Sequence, residues 1–148
     1  MWPDYENQVC NGQAFTGSAT VSQDSIAKRT AAHDPSIGRR MAMRVIPTVA
    51  AGAGSTHTLE VIQADNGALT SNVEVLATIV RTAAQLTKGS VHEIPIPQGT
   101  MTKQFVGLRH AASGGITTVS LDAYLVPQDE ITKYKSFPKV VDADVELP

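Results

Sequence analysis

The sequence predicts an all-β domain, a jelly-roll β-sandwich of about eight antiparallel strands, and three observations point there. Short runs rich in Val, Ile, Leu and Thr alternate apolar with polar residues. Turn signals punctuate them every roughly 8–15 residues. No stretch carries a convincing amphipathic-helix stripe. Strands at this spacing pack as a sandwich or barrel, and 148 residues suit one domain with a core of its own.

The first thirteen residues read as a polar, irregular, extended segment, because Pro3, Asn7, Asn11 and Gly12 break any period. Trp2 and Tyr5 stand out there as large rings that either pack on their own domain or dock on a neighbour. The sandwich is expected over 14–130. Thr20 to Lys28 alternates weakly, and His33-Asp34-Pro35-Ser36-Ile37-Gly38 reads as a loop. Met41 to Val49 alternates with Met41, Met43 and Val45 on one face; Pro47 within it favours an edge strand or a bulge. Ala50 to Ser55 reads as a flexible connection.

Thr56 to Ala64 follows, with Leu59 and Val61 on one side and Glu60 and Ile62 on the other. Asp65-Asn66-Gly67 is a strong turn signal. Ser71 to Lys88 fits a helical stripe or a strand. The β-branched residues at 73, 75, 79 and 80 decide for a strand over about Glu74 to Arg81, then a loop to Gly89. Val91 to Pro97 is a short strand cut by Pro95 and Pro97. Lys103 to Ala111 alternates Phe105, Gly107 and Arg109 against Val106, Leu108 and His110. Ser113-Gly114-Gly115 reads as a hairpin loop. Ile116 to Val126 is the longest clean strand: Val119, Leu121, Ala123 and Leu125 face a core, with Thr118, Ser120, Asp122 and Tyr124 opposite. Beyond Gln128-Asp129-Glu130 the character changes. Residues 131–148 read as a C-terminal arm whose extended reach is roughly 60 Å, enough to cross onto a neighbour.

Composition narrows the function classes. Net charge is −2 and charged residues make up 18%, against about 25% in an average domain. Phosphate neutralisation needs clustered Lys and Arg, and Arg39-Arg40 is the lone basic pair, read as a solvated strand rim. The expectation is therefore no nucleic-acid partner. No apolar run approaches the length that spans a bilayer, and the first residues lack the basic and apolar regions of a secretory signal, so no membrane partner is expected. The single cysteine, Cys10, excludes an internal disulfide, suits a reducing cytoplasm and reads as a buried structural residue.

The chemistry-bearing residues form no recognisable site. His33, His57, His92 and His110 lack metal-ligand spacing, and His92 and Glu93 point to opposite faces of a strand. Three strand histidines converging inside a barrel is the only metal reading; the alternative is histidines scattered over solvent-facing or interface positions. There is no nucleophile-elbow pattern, and Gly52-Ala53-Gly54 lacks the Lys-Ser/Thr continuation of a phosphate loop. Aromatics at 5% argue against base-stacking platforms. Tyr124 and Asp122 share a strand face, a weak hint of a sugar site. No catalytic, cofactor or metal residue is expected, and no small-molecule substrate.

Several stretches, in order, resemble a known family: Gln13-Ala14-Phe15-Thr16-Gly17-Ser18-Ala19-Thr20; Ser36-Ile37-Gly38-Arg39-Arg40-Met41; Thr58-Leu59-Glu60-Val61-Ile62-Gln63-Ala64-Asp65; Val91-His92-Glu93-Ile94-Pro95-Ile96-Pro97 before Phe105-Val106-Gly107-Leu108-Arg109; and Leu121-Asp122-Ala123-Tyr124-Leu125-Val126-Pro127. The order is similar to the jelly-roll capsid cement, or decoration, proteins of tailed bacteriophages, over roughly residues 8–130. The resemblance implies a cofactor-free structural protein, made in the host cytoplasm. It implies a homotrimer on the outer capsid surface of the virion, clamping neighbouring subunits of the major capsid protein. Residues 131–148 extend past the family's usual close at Pro127. Expected partner-binding residues are Trp2, Tyr5, Arg39, Arg40, Tyr134 and Phe137. The rival reading is a carbohydrate-binding jelly roll for host adsorption; a cupin-like metalloenzyme is the third.

Overall fold

The computed structural model describes residues 7–17, 19–28, 40–115 and 117–127. Trp2, Tyr5, Arg39, Tyr134 and Phe137, His33 and the arm 131–148 lie outside the described residues. Among the described residues nine strands are present: β1 (Gln8–Phe15), β2 (Thr20–Val21), β3 (Ile26–Ala27), β4 (Met41–Val49), β5 (Thr56–Ala64), β6 (Glu74–Thr82), β7 (His92–Ile96), β8 (Phe105–Ser113) and β9 (Val119–Pro127). They form two antiparallel sheets. The first runs β1-β9-β4-β7; the second runs β2-β8-β5-β6, with β3 also pairing with β8. The chain crosses repeatedly between sheets, and its last two strands return beside its first ones. This is a jelly roll, with β2 and β3 as two pieces of one edge.

Period-two patterning explains why these segments pair as they do. Met41, Met43 and Val45 of β4 and Val119, Leu121, Ala123 and Leu125 of β9 turn inward, meeting Leu59 and Val61 of β5 and Val106 and Leu108 of β8. All are buried, and their strand neighbours face out, as one-faced sheets require. Leu86, in the loop after β6, and Met101, before β8, plug the core from the connections.

Several expectations change. The stretch taken as irregular, 1–13, contains most of β1: the sandwich begins at Gln8, not at residue 14. Gly12 adopts φ 61°, and register shifts fall between Gln8 and Cys10 and between Cys10 and Gln13. Bulges thus absorb the residues that blur its periodicity. Thr20 to Lys28 yields only two two-residue strands. Pro47 marks a bulge, between Pro47 and Val49, in a strand that is central and not at an edge. Ser113-Gly114-Gly115 is not a hairpin loop: β8 and β9 belong to different sheets, so the glycines carry a crossover. Ala50 to Ser55 is pinned on both sides. Gly52 N–H donates to Thr118 O (2.9 Å), Ala51 N–H to Leu86 O (3.1 Å), and Ala83 N–H to Ser55 O (3.0 Å).

The Asp65-Asn66-Gly67 turn opens a loop that folds back over the outer face of the second sheet. Asn66 Oδ1 accepts from Thr70 N–H (2.9 Å) and Ser71 N–H (3.0 Å). Ser25 Oγ ties Gly67 O down at 2.9 Å. Leu69, held at φ 57°, is thereby driven onto Ile62 and Ala64, with Val21, Val73 and Phe105 around them. This makes a second, smaller core on the outside of the sandwich.

Candidate functional site

Three places concentrate functional chemistry. The first is buried at the end of the sandwich where β8 leaves for β9. Ser55 Oγ lies 2.6 Å from His57 Nε2, and His57 Nδ1 lies 2.8 Å from His110 Nε2. Both imidazoles are fully buried and Ser55 nearly so. Leu59 and His110 are register partners on β5 and β8, so inward-facing His57 and His110 sit diagonally adjacent. Phe15 of β1 closes the cluster, its ring centroid 4.8 Å from that of His110.

Heavy-atom partners fix the proton positions. Ser55 Oγ donates to Gly52 O (2.5 Å), so it accepts from His57 Nε2–H. His57 Nδ1 then accepts from His110 Nε2–H. His110 Nδ1 is left as a buried acceptor without a hydrogen-bond partner among the described residues. The serine–histidine–histidine connectivity copies that of a nucleophile, a base and an orienting group, but its polarity is reversed. A general base must accept the serine proton, whereas His57 Nε2 donates to this oxygen. Burial holds both histidines below their usual range; His110, with His57 also opposing a second charge beside it, falls to about 4. Both rings are therefore neutral at pH 7.

The second place is the outer face of the second sheet beyond the Leu69 loop. Alternation puts Thr56, Thr58 and Glu60 of β5 outward. Across the ladder stand Thr82, Val80 and Thr78 of β6 and Ser113, Ala111 and Arg109 of β8. Val80 is 54% exposed. Arg109 spans Glu60 with two 3.1 Å bonds, so the charges on this face neutralise one another. The remainder is a surface of Thr, Val, Ala and Ser, side chains with few rotamers to lose on burial. Among the described strands β6 is an outer one, and edges of this kind recruit partner strands.

The third is the outer face of the first sheet. Gln8, Tyr124, Arg44 and Glu93 are register partners across β1, β9, β4 and β7 and make one polar row. Gln8 Nε2 donates to the Tyr124 hydroxyl (3.4 Å), and Asp122 Oδ1 accepts from Gly12 N–H (2.6 Å). Tyr124 and Glu93 are engaged in further contacts.

Of the residues expected to bind partners, Arg40 alone falls within the described residues. It is exposed immediately before β4. The three described histidines, His57, His92 and His110, are not scattered over exposed positions. His57 and His110 are joined in the core, while half-buried His92 accepts from Arg81 Nε (3.3 Å) and meets Ser90 Oγ (2.9 Å). Among the described residues no group of three His, Cys, Asp or Glu side chains is placed to hold a metal ion. Cys10 is buried, and burial, with Asp122 and Asp24 adding to it, pushes its thiol up to about 12. The histidine pair was in principle legible, since both residues occupy inward positions of their strands; which strands neighbour each other was not.

No protein-family model matches the chain, and no curated protein does. Among solved structures, the chain is similar to one described as the crystal structure of PirA, at 12% identity and TM-score 0.42, covering 85% of this chain and 97% of that one. It is also similar to a Clostridium thermocellum xylanase comprising CBM22 and GH10 modules, complexed with xylohexaose. There the identity is 15% and the TM-score 0.38, covering 85% of this chain and 27% of that one.

Proposed function

We propose that this chain is a structural virion protein: it binds the outside of an assembled phage capsid as a trimer and cements neighbouring major capsid subunits. It does so without catalysis or cofactor. The ordered sequence resemblance over residues 8–130 supports the choice of that family. The observation that carries the reading is the second sheet's outer face, an internally neutralised array of Thr56 and Thr58 on β5 with Thr78, Val80 and Thr82 on the outer strand β6. Such a face buries against a protein with small loss of side-chain entropy and no unpaired charge. A cement protein acts by mass action, because binding the assembled shell and not its free subunits stabilises the shell, and many modest contacts add through multivalency. A trimer matches a local threefold of a lattice.

The test is a native mass measurement followed by co-sedimentation with empty capsids. A trimer that pellets with capsids and raises their disruption temperature is expected. Val80→Glu and Thr58→Arg should fold normally and pellet at least tenfold less. A monomer without capsid affinity removes the reading. Deleting residues 131–148 should leave the thermal midpoint unchanged and weaken attachment.

The rival carbohydrate-binding reading is favoured by the Gln8–Tyr124–Arg44–Glu93 row, which sets one aromatic among donors and acceptors. Its test is polysaccharide binding by the wild type that is lost in Tyr124→Ala. Tyr124 and Glu93 are already engaged in further interactions and the four side chains of the row are half-buried, and we favour the cement reading.

A further inference from the structure

We propose that Ser55, His57 and His110 form an acid-sensitive latch that locks the loops at one end of the sandwich while neutral and releases them when His110 takes up a proton. The proposal is independent of what the protein binds.

The latch sits beneath a group of tightly fitted backbones. A Cβ built on Gly115 would overlap Ala53 O at 2.5 Å, and one on Gly114 would lie 3.0 Å from Gly54 O. The two crossovers therefore touch main chain to main chain. Gly52 N–H reaches Thr118 O, Ala83 N–H reaches Ser55 O, and Ala112 N–H reaches Gly17 O (3.0 Å). The connections after β1, β4, β6 and β8 are thus tied together, and Ser55 belongs to that group. Its hydroxyl closes the Gly52 turn above and accepts from His57 below, so the two rings transmit their order directly into the loops.

The surroundings offer an added proton no counter-charge. The facing groups are Ser55, immediately before β5, and His57 and Leu59 on β5. On β1 there is Phe15, and on β2 Thr20 pairs with His110. On β6, Arg81 pairs with His57 and sends its guanidinium to His92 and to Val80 O (2.9 Å). Arg109 and Glu60 are paired on the opposite face of the sheet. The opposing sheet contributes apolar side chains to this layer and, on β7, half-buried His92, which is bonded to Arg81; its Arg44, Asp122 and Glu93 point outward. No carboxylate faces the pair among the described residues. The Nδ1 of His110, without a hydrogen-bond partner among the described residues, is the free lone pair of the serine–histidine–histidine array, and a proton there makes a buried, unpaired cation.

The sign follows from linkage. The locked state holds His110 at about 4; an opened state returns it to the ordinary value near 6.5. Stability of the lock is full above pH 6.5 and is lost as pH falls through the interval from 6.5 to 4. The opening equilibrium should rise about 30-fold between pH 7.5 and pH 5.

Amide hydrogen exchange, corrected for the intrinsic pH dependence, reads this residue by residue in the full chain. Protection of the Gly52, Ala83 and Ala112 amides should fall about 30-fold from pH 7.5 to pH 5. The Asp65 and Leu69 amides, at the far end, should hold. In His110→Gln, whose amide still donates to His57 but does not titrate, the fall at the same three amides should be several-fold smaller, with His57 alone left to drive it. Unchanged protection in the wild type, or an equal fall in His110→Gln, overturns the proposal. A direct nuclear magnetic resonance titration of the two wild-type rings decides it should that variant not fold. Neutral rings down to pH 5 support the latch, and a His110 that titrates near 6.5 in the folded protein overturns it.

Discussion

Gly107→Ala is the substitution whose outcome the structure constrains most sharply. Gly107 lies on β8 at a negative φ, so alanine suits its backbone. In an open strand the change should stabilise by about 0.5–1 kcal/mol by restricting the unfolded chain. Here the added methyl would overlap Leu69 Cδ1 and come within 2.8 Å of Ser22 Oγ. Neither neighbour yields freely. Leu69 is 2% exposed in a loop held by Asn66. The Ser22 hydroxyl donates to Asp24 O (2.7 Å) and accepts from Leu108 N–H (3.1 Å). Overpacking of this kind costs about 1–3 kcal/mol, so the net change is a loss of about 1–2 kcal/mol, or about 3–6 °C in thermal midpoint for a chain this size. Leu69→Ala alone should cost about 2 kcal/mol. With Cδ1 gone, most of the overlap goes too, and Gly107→Ala in the Leu69→Ala background should cost less than half as much. Urea unfolding of the four proteins gives the coupling energy, expected at about 1 kcal/mol. A Gly107→Ala protein as stable as the wild type would refute the packing argument, as would a cost undiminished in the double variant.

Other outcomes follow from the same geometry. Asn66→Ala removes the acceptor of two loop amides and should lower stability by about 1 kcal/mol, measured as a shift in urea midpoint with unchanged slope. Cys10, with its thiol held near 12, should resist a disulfide-exchange reagent at pH 8 in the native protein and react at once in guanidinium; rapid native labelling would mean β1 opens readily. Arg81→Leu removes the bond between β6 and β7 and the positive charge beside His92, whose affinity for protons is held down first by burial and then by Arg81. The His92 ring should titrate at higher pH in that variant.

The parts of the fold that depend on alternation were legible in the sequence. The inward sets of β4, β5, β8 and β9 fall where period two places them, because each strand has one face on a core. β1 was not legible, since Gly12 and two register shifts disperse its pattern. The Ser113-Gly114-Gly115 turn misled for a related reason: a glycine turn shows where a strand stops, not which sheet the next one joins. The histidine latch was lost at the same step. Its members are fifty-three residues apart, and their meeting depends on β5 and β8 becoming neighbours. The threonine face fared likewise, since Thr56, Thr58, Thr78 and Thr82 come together only by register.

The strand order has a consequence for how the protein is made. Among the described strands, β5 and β6 are the one consecutive pair that bond to each other. β1 waits for β9, and β2 and β3 wait for β8. On a ribosome the first strands emerge long before their partners exist. The β5–β6 hairpin is the natural seed, and the remaining ladders require large loops to close before they return any energy. Folding should be slow and late. A chain interrupted before Val119 would leave β1 and β4 without the strand that lies between them, exposing two apolar faces to whatever is nearby.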